Sequence, residues 1–186
     1  MHSASHFQIQ NAHNPRQEEP RLDRKKILVT LTGGGFLWEA QALIKGLGKG
    51  YDYHFVTTPD APVKVGVADI PDGEVHAIAK LTTMNVKSSL KKVKNTLCSL
   101  RDACKVIREV DPFAVICVGS SIAVPLCFWA KCFRKKAIFV ETITRISKPS
   151  LTGKIISTLK LCDRFYVQWP EAVNLYKGAI YAGTVL

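Results

Sequence analysis

The chain has 186 residues, 47% of them hydrophobic, which is long enough for one domain with its own core and short for two. Its 26 Lys and Arg against 15 Asp and Glu leave a formal charge of +11, which calls for an anionic partner (nucleic acid, anionic lipid or a phosphorylated ligand) or serves solubility alone. The six cysteines, Cys98, Cys104, Cys117, Cys127, Cys132 and Cys162, form no Cys-x-x-Cys pair and mostly sit in apolar runs, which argues against disulfides and against a zinc site.

Residues 1–25 scatter a few apolar side chains among His, Gln, Asn, Pro, Arg and Glu, with no apolar stretch of signal or spanning length, and read as a disordered tail. A single domain is expected over 26–186, in the cytosol or on a cytosolic membrane surface. Ile27 to Leu31 is a short apolar run ending in Thr32 and three glycines. Leu37, Ala40, Leu43, Ile44 and Leu47 then recur at helical spacing, so the segment reads as strand, tight turn and helix. Tyr51 to Thr57 alternates like a second strand, and the proline-rich Thr58 to Asp72 reads as loop.

Between Lys87 and Arg108, the residues Leu90, Val93, Leu97, Leu100, Cys104 and Ile107 fall at steps of three and four, while Lys91, Lys92, Lys94, Arg101 and Lys105 occupy mostly other faces. This predicts an amphipathic helix with a basic back, stopped at Asp111-Pro112. Phe113 to Ala130 has no charge in 18 residues, a length that could cross a membrane. Gly119-Ser120-Ser121 breaks it in the middle, however, and it is expected to divide into a strand and a helix that starts at the serines. Ala137 to Glu141 reads as a buried strand, Leu151 to Leu161 as a helix, and Arg164 to Gln168 as a strand closed by Trp169-Pro170.

This alternation predicts an α/β, Rossmann-like, mostly parallel sheet with helices on both faces, whose ligands bind at the carboxyl ends of the strands. Those ends carry Gly33-Gly34-Gly35, Gly119-Ser120-Ser121, Glu141 with Arg145, and Gln168-Trp169. The triple glycine can turn a strand sharply into a helix N-terminus that suits a phosphate, or be a tight turn with no ligand. The serine turn can cap its helix or hold an anion. Together, the two junctions favour a diphosphate. Glu141 can be a general base, an acceptor for sugar hydroxyls, or half of an ion pair with Arg145. His54 and His76 lie far from both turns and are given no role.

A dinucleotide fingerprint fits poorly, because Trp38 stands where its third glycine belongs and Thr57-Thr58 where its acidic residue belongs. No Gly-Lys-Ser or Gly-Lys-Thr is present, so ATP chemistry by a Walker motif is not indicated, and a nucleotide-dependent oxidoreductase remains a distant alternative. Lys91, Lys92, Lys94, Lys135 and Lys136, with neighbouring cations, can rest on anionic headgroups or face solvent. Little aromatic interleaving accompanies them, which makes nucleic acid the weaker partner.

The stretch Ile138-Phe139-Val140-Glu141-Thr142 with Arg145, Leu151-Thr152-Gly153-Lys154, Asp163, Val167-Gln168-Trp169-Pro170 and Ala179-Ile180-Tyr181-Ala182-Gly183 resembles a known family. It is the acceptor-binding, membrane-associated subunit of the bipartite UDP-N-acetylglucosamine transferase of lipid-linked oligosaccharide synthesis, with its bacterial capsule and exopolysaccharide relatives. Asp111-Pro112 through Val118-Gly119-Ser120 to Ala123-Val124-Pro125 looks like that family's second glycine loop.

The resemblance implies the N-terminal half of a GT-B glycosyltransferase, working without a cofactor or metal. A small partner subunit would hold the UDP-sugar, and the acceptor would be linked to polyprenyl pyrophosphate. It implies that Gly33, Gly34, Gly35, Gly119, Ser120 and Ser121 hold the acceptor diphosphate. Glu141, Arg145, Gln168 and Trp169 would line the acceptor pocket, with Glu141 as the candidate catalytic residue. The family's first loop usually closes with histidine, where this chain has Phe36, so either Glu141 or the partner supplies the base, or the chain is a non-catalytic subunit that recruits or enhances its partner. The missing N-terminal anchor makes the bacterial branch the closer likeness, with peripheral attachment to the cytoplasmic face of a membrane.

Overall fold

The computed structural model describes residues 24–61, 63–66, 70–81 and 89–185, with no side chains described for 89–92. The tail expected over residues 1–25 therefore lies outside the described residues except for its end, where Arg24 Nη1 donates to the Lys49 carbonyl at 3.2 Å and Lys25 Nζ sits 4.5 Å above the Phe113 ring.

Seven strands alternate with four helices: β1 (Lys26–Thr30), α1 (Gly35–Leu47), β2 (Asp52–Thr57), β3 (Glu74–Ala77), α2 (Ser89–Val110), β4 (Ala114–Val118), α3 (Ala123–Cys132), β5 (Lys136–Val140), α4 (Leu151–Thr158), β6 (Arg164–Val167) and β7 (Ala179–Tyr181). A 3-10 segment, Pro170–Leu175, connects the last two strands. All neighbours in the sheet run parallel, in the order β3-β2-β1-β4-β5-β6-β7. Strands β1 and β4 are apolar along nearly their whole length because helices cover both faces. One core layer joins Leu28, Val56, Val115, Phe139 and Phe165 to α2, α3 and α4, and the other joins Val29, Phe55, Ile116 and Val140 to α1.

The 18-residue uncharged run divides into β4 and α3, and among the described residues no helix is long and apolar enough to cross a membrane. Strands β3 and β7 were not foreseen: they are short edge strands, and their pattern is too brief to show periodicity. The helix expected from Lys87 is α2, but its buried face is Ser99, Ala103, Val106, Ile107 and Val110. Val93 and Leu97 are exposed, since the first turns of α2 reach past the core layer that holds its C-terminal half.

All six cysteines are free thiols. On the β2–β3 edge His54 and His76 stack with ring centroids 5.8 Å apart. Burial pushes the His76 imidazole below its ordinary value, against the opposing pull of Glu74.

Candidate functional site

In a parallel sheet the strand order reverses where the first and fourth strands lie side by side, and the diverging loops leave a crevice at their carboxyl ends. Here that point falls between β1 and β4. A cavity of about 540 Å³ opens there, lined by Thr32 and Gly33 after β1, Thr58 and Asp60 after β2, Gly119 to Ser121 after β4, and Glu141, Thr142 and Arg145 after β5.

The β4–α3 turn is held by backbone geometry. Gly119 and Ser120 both adopt positive φ, 51° and 52°. Helix α3 begins at Ala123 rather than at the serines, and it has no side-chain cap. The cap role is thus not taken, and both serines face the cavity. Helix α1 likewise begins without a side-chain cap, behind Gly34 at φ 75°. Gly33 lines the cavity, whereas Gly34 and Gly35 are exposed beside it.

The Phe36 ring lies directly against the Gly119 Cα and forms part of the wall. Thr32 contributes a buried hydroxyl with no partner among the described residues, a group that a ligand can satisfy. The cations on the wall are Lys80 and Arg145. Lys80 Nζ bridges to Asp60 Oδ2 at 3.1 Å, and a hydrogen bond from Thr58, reinforced by Lys80, holds the Asp60 carboxyl below its usual range.

Two buried carboxylates support this wall from beneath. Glu141, 1% exposed, accepts from Ser150 Oγ and Tyr176 OH at Oε2, both at 2.6 Å, and from its neighbour's amide, Thr142 N, at Oε1, 3.0 Å away. Ser150 Oγ in turn accepts from Gly153 N at 2.8 Å and caps α4. Tyr176 is pushed up to about 12 by burial and by its bond to Glu141.

Glu39, on α1, accepts from Thr142 Oγ1 and Gln168 Nε2 at 2.6 Å and from the Ile143 amide at 3.1 Å. These bonds fix the loop from Glu141 to Ser150 along the cavity. Sequence reasoning missed Glu39. Its one signal was an acid among apolar helix positions, one residue before Ala40 and four before Leu43.

The structure corrects several expectations. The Glu141–Arg145 ion pair is not formed: Glu141 is turned inward to three donors, while Arg145 is exposed on the wall. Gln168 and Trp169 do not line the cavity. The Gln168 amide is taken by Glu39 and the Glu141 carbonyl, and Trp169 Nε1 donates to the Ile143 carbonyl at 2.6 Å, so both hold the loop from behind.

The lysines assigned to a membrane surface do not form one patch. Lys94 follows the first turn of α2, at the carboxyl end of the strands, whereas Lys135 and Lys136 stand at the start of β5, at the opposite end. Lys135 is also engaged by Asp111 at 2.6 Å. The side chains of Lys91 and Lys92 lie outside the described residues.

This sheet, with its crevice at the β1–β4 reversal, is α/β and Rossmann-like, and its fold is similar to one half of a GT-B glycosyltransferase. It superposes on the crystal structure of MurG from Acinetobacter baumannii with a TM-score of 0.62 and 14% identity, over 87% of this chain and 46% of that one.

The chain belongs to the family described as oligosaccharide biosynthesis protein Alg14 like, which residues 28–185 match. The UDP-N-acetylglucosamine transferase subunit ALG14 of Mus musculus is 26% identical over 92% of this chain and 88% of its own length. The subunit of the same name from Yarrowia lipolytica is 36% identical, over 45% of this chain and 41% of its own.

Proposed function

We propose that this chain is the acceptor-binding subunit of a two-chain glycosyltransferase. It works with a small donor-binding partner that carries the UDP-sugar, and the pair moves N-acetylglucosamine or another hexose to an acceptor linked to polyprenyl pyrophosphate. The observation that carries the reading is the switch-point cavity. Its wall combines a positive-φ turn with two serines free of capping duty, the unpartnered Thr32 hydroxyl and the cations Lys80 and Arg145. Backbone amides at a turn, hydroxyls and fixed cations together suit a diphosphate. In this reading Gly33, Gly119, Ser120 and Ser121 hold the diphosphate and Arg145 reaches the acceptor sugar, while Gly34 and Gly35 shape the approach.

An attacking sugar hydroxyl needs a base within hydrogen-bond reach and a stabilised leaving group. Glu141 enters as a positioning residue rather than as that base, because both its oxygens already accept from protein donors and the residue, at the edge of the cavity, is only 1% exposed. Asp60, held ionised by Thr58 and Lys80, is a weak base. The base therefore comes from the partner, which also binds the leaving nucleoside diphosphate. Attachment is to the cytoplasmic face of a membrane, with the acceptor's lipid extending away from the cavity.

The test is transfer of radiolabelled N-acetylglucosamine from its UDP form to a polyprenyl-pyrophosphate acceptor, by each chain alone and by the pair. Acceptor binding by this chain alone with transfer only by the pair supports the proposal. Binding of the UDP-sugar by this chain alone overturns it. A non-catalytic enhancer is the second reading, favoured by Phe36, whose apolar ring occupies the wall where the family's histidine is expected. It predicts that the partner alone transfers slowly and that this chain only raises the rate.

A further inference from the structure

At the far edge of the sheet, away from the cavity, strands β2 and β3 bring together three groups that the transferase reading does not use. His54 pairs in register with Glu74, and two residues further on Val56 pairs with His76. Side chains two apart on a strand share a face, and this is the face on which Val56 packs with Val106 and Val110 of α2. One ligand atom from each of His54, Glu74 and His76 falls within 4.8 Å of the others. Glu74 Oε2 lies 3.6 Å from His54 Nδ1 and 3.8 Å from His76 Nε2.

These separations have the size that a metal site requires. Bonds of about 2.0–2.1 Å in a tetrahedron place ligand atoms about 3.4 Å apart, so small side-chain rotations close the geometry. Both His54 ring nitrogens and His76 Nε2 are buried without a hydrogen-bond partner among the described residues, a cost that a bound cation removes. His54 also has its outer support in place. If Nδ1 ligates, the opposite nitrogen, Nε2, is 3.7 Å from Asp52 Oδ2, and a carboxylate behind a ligating imidazole fixes its tautomer and orientation.

We propose that His54, Glu74 and His76 form a site for a first-row divalent cation of the zinc class, with Asp52 as the supporting carboxylate and solvent in the fourth position. Two imidazoles and one carboxylate suit zinc better than calcium or magnesium, which prefer all-oxygen shells. The ion clamps the four-residue edge strand β3 to β2.

The experiment is equilibrium dialysis of the full chain, stripped with a chelator, against zinc, paired with thermal unfolding with and without zinc. Three tail histidines, His2, His6 and His13, and six cysteines offer other places for zinc, so variants assign the site. Glu74→Gln alters a side chain that is 68% exposed and leaves the fold intact. The expected result is that Glu74→Gln and His76→Gln each weaken one binding event by at least about 10-fold, and Asp52→Asn by about 10- to 100-fold. Zinc should also raise the unfolding temperature of the unaltered chain and not of His76→Gln. No binding by the unaltered chain overturns the proposal, as does binding that is unchanged in both Glu74→Gln and His76→Gln.

Discussion

The Tyr176 phenol donates to Glu141 Oε2 at 2.6 Å and accepts from the Ser150 amide at 2.8 Å. It thereby joins the 3-10 end of the chain to the loop that walls the cavity. Because Ser150 Oγ binds the same carboxylate oxygen, both ends of that loop and Tyr176, 35 residues on from Glu141, meet at one buried carboxylate. Gly153 is part of this contact: a Cβ there would collide with Glu141 Oε2 and come within 2.7 Å of the Tyr176 ring, so the helix can approach only without a side chain.

Tyr176→Phe removes one donor from a buried carboxylate, and chemical denaturation should show a loss of about 1.5–3 kcal/mol. Transfer by the reconstituted pair should fall through the displaced loop, and Tyr176→Phe should bind acceptor more weakly at equal folded fraction.

The same tyrosine sets an alkaline limit. The folded chain holds the phenol proton up to about 12, above the ordinary 10.0, so between these values the folded state binds more protons than the unfolded one. Stability contributed by Tyr176 is present in full below pH 10 and falls as pH rises towards 12. Unfolding followed across that window should show a component of the decline that Tyr176→Phe lacks.

Glu39→Ala strands the Thr142 hydroxyl, the Ile143 amide and the Gln168 amide, all buried or half-buried, at a cost of about 3 kcal/mol or more. Thermal unfolding and proteolysis of the loop between Glu141 and Ser150 measure it. Gln168→Ala removes one of the three donors and should cost less, and the double variant should cost less than the sum of the two.

Gly119→Ala meets two obstacles, a positive φ of 51° and the Phe36 ring in the path of the new methyl. The expected loss is about 1–3 kcal/mol. Phe36→Ala in the same chain should recover the steric part, so a double-mutant cycle should show coupling. Phe36→His tests the wall chemically: a strong rise in transfer by the pair identifies the native chain as a weakened or scaffold-type member, and no change keeps the base on the partner.

Lys80→Ala and Arg145→Ala should leave stability nearly unchanged, since an exposed ion pair such as Lys80–Asp60 is screened by solvent. Each should weaken acceptor binding about 10-fold or more, the value of a charge-assisted bond to a phosphate. Salt should weaken the unaltered chain more than either variant. Equal loss of binding and of folding would remove both residues from the site.

The periodicity of the sequence was enough to determine β1, β2, β4, β5, β6 and the four helices, because burial on both faces leaves long apolar runs and amphipathic stripes leave steps of three and four. It also determined that the glycine turns and Glu141 share the carboxyl edge of the sheet, since in a parallel sheet the carboxyl ends of all strands lie on one side. What the tertiary structure alone decided is which of those residues see the cavity. Gln168 carries the same edge signal as Ser120 and Arg145, yet it is turned inward to Glu39 while the other two are left to the wall, and Glu141, at the cavity's edge, is taken up by Ser150 and Tyr176. That choice rests on partners 9 to 129 residues away, where a buried polar group is stable only if its donors and acceptors meet it in space, and no local pattern encodes such a meeting.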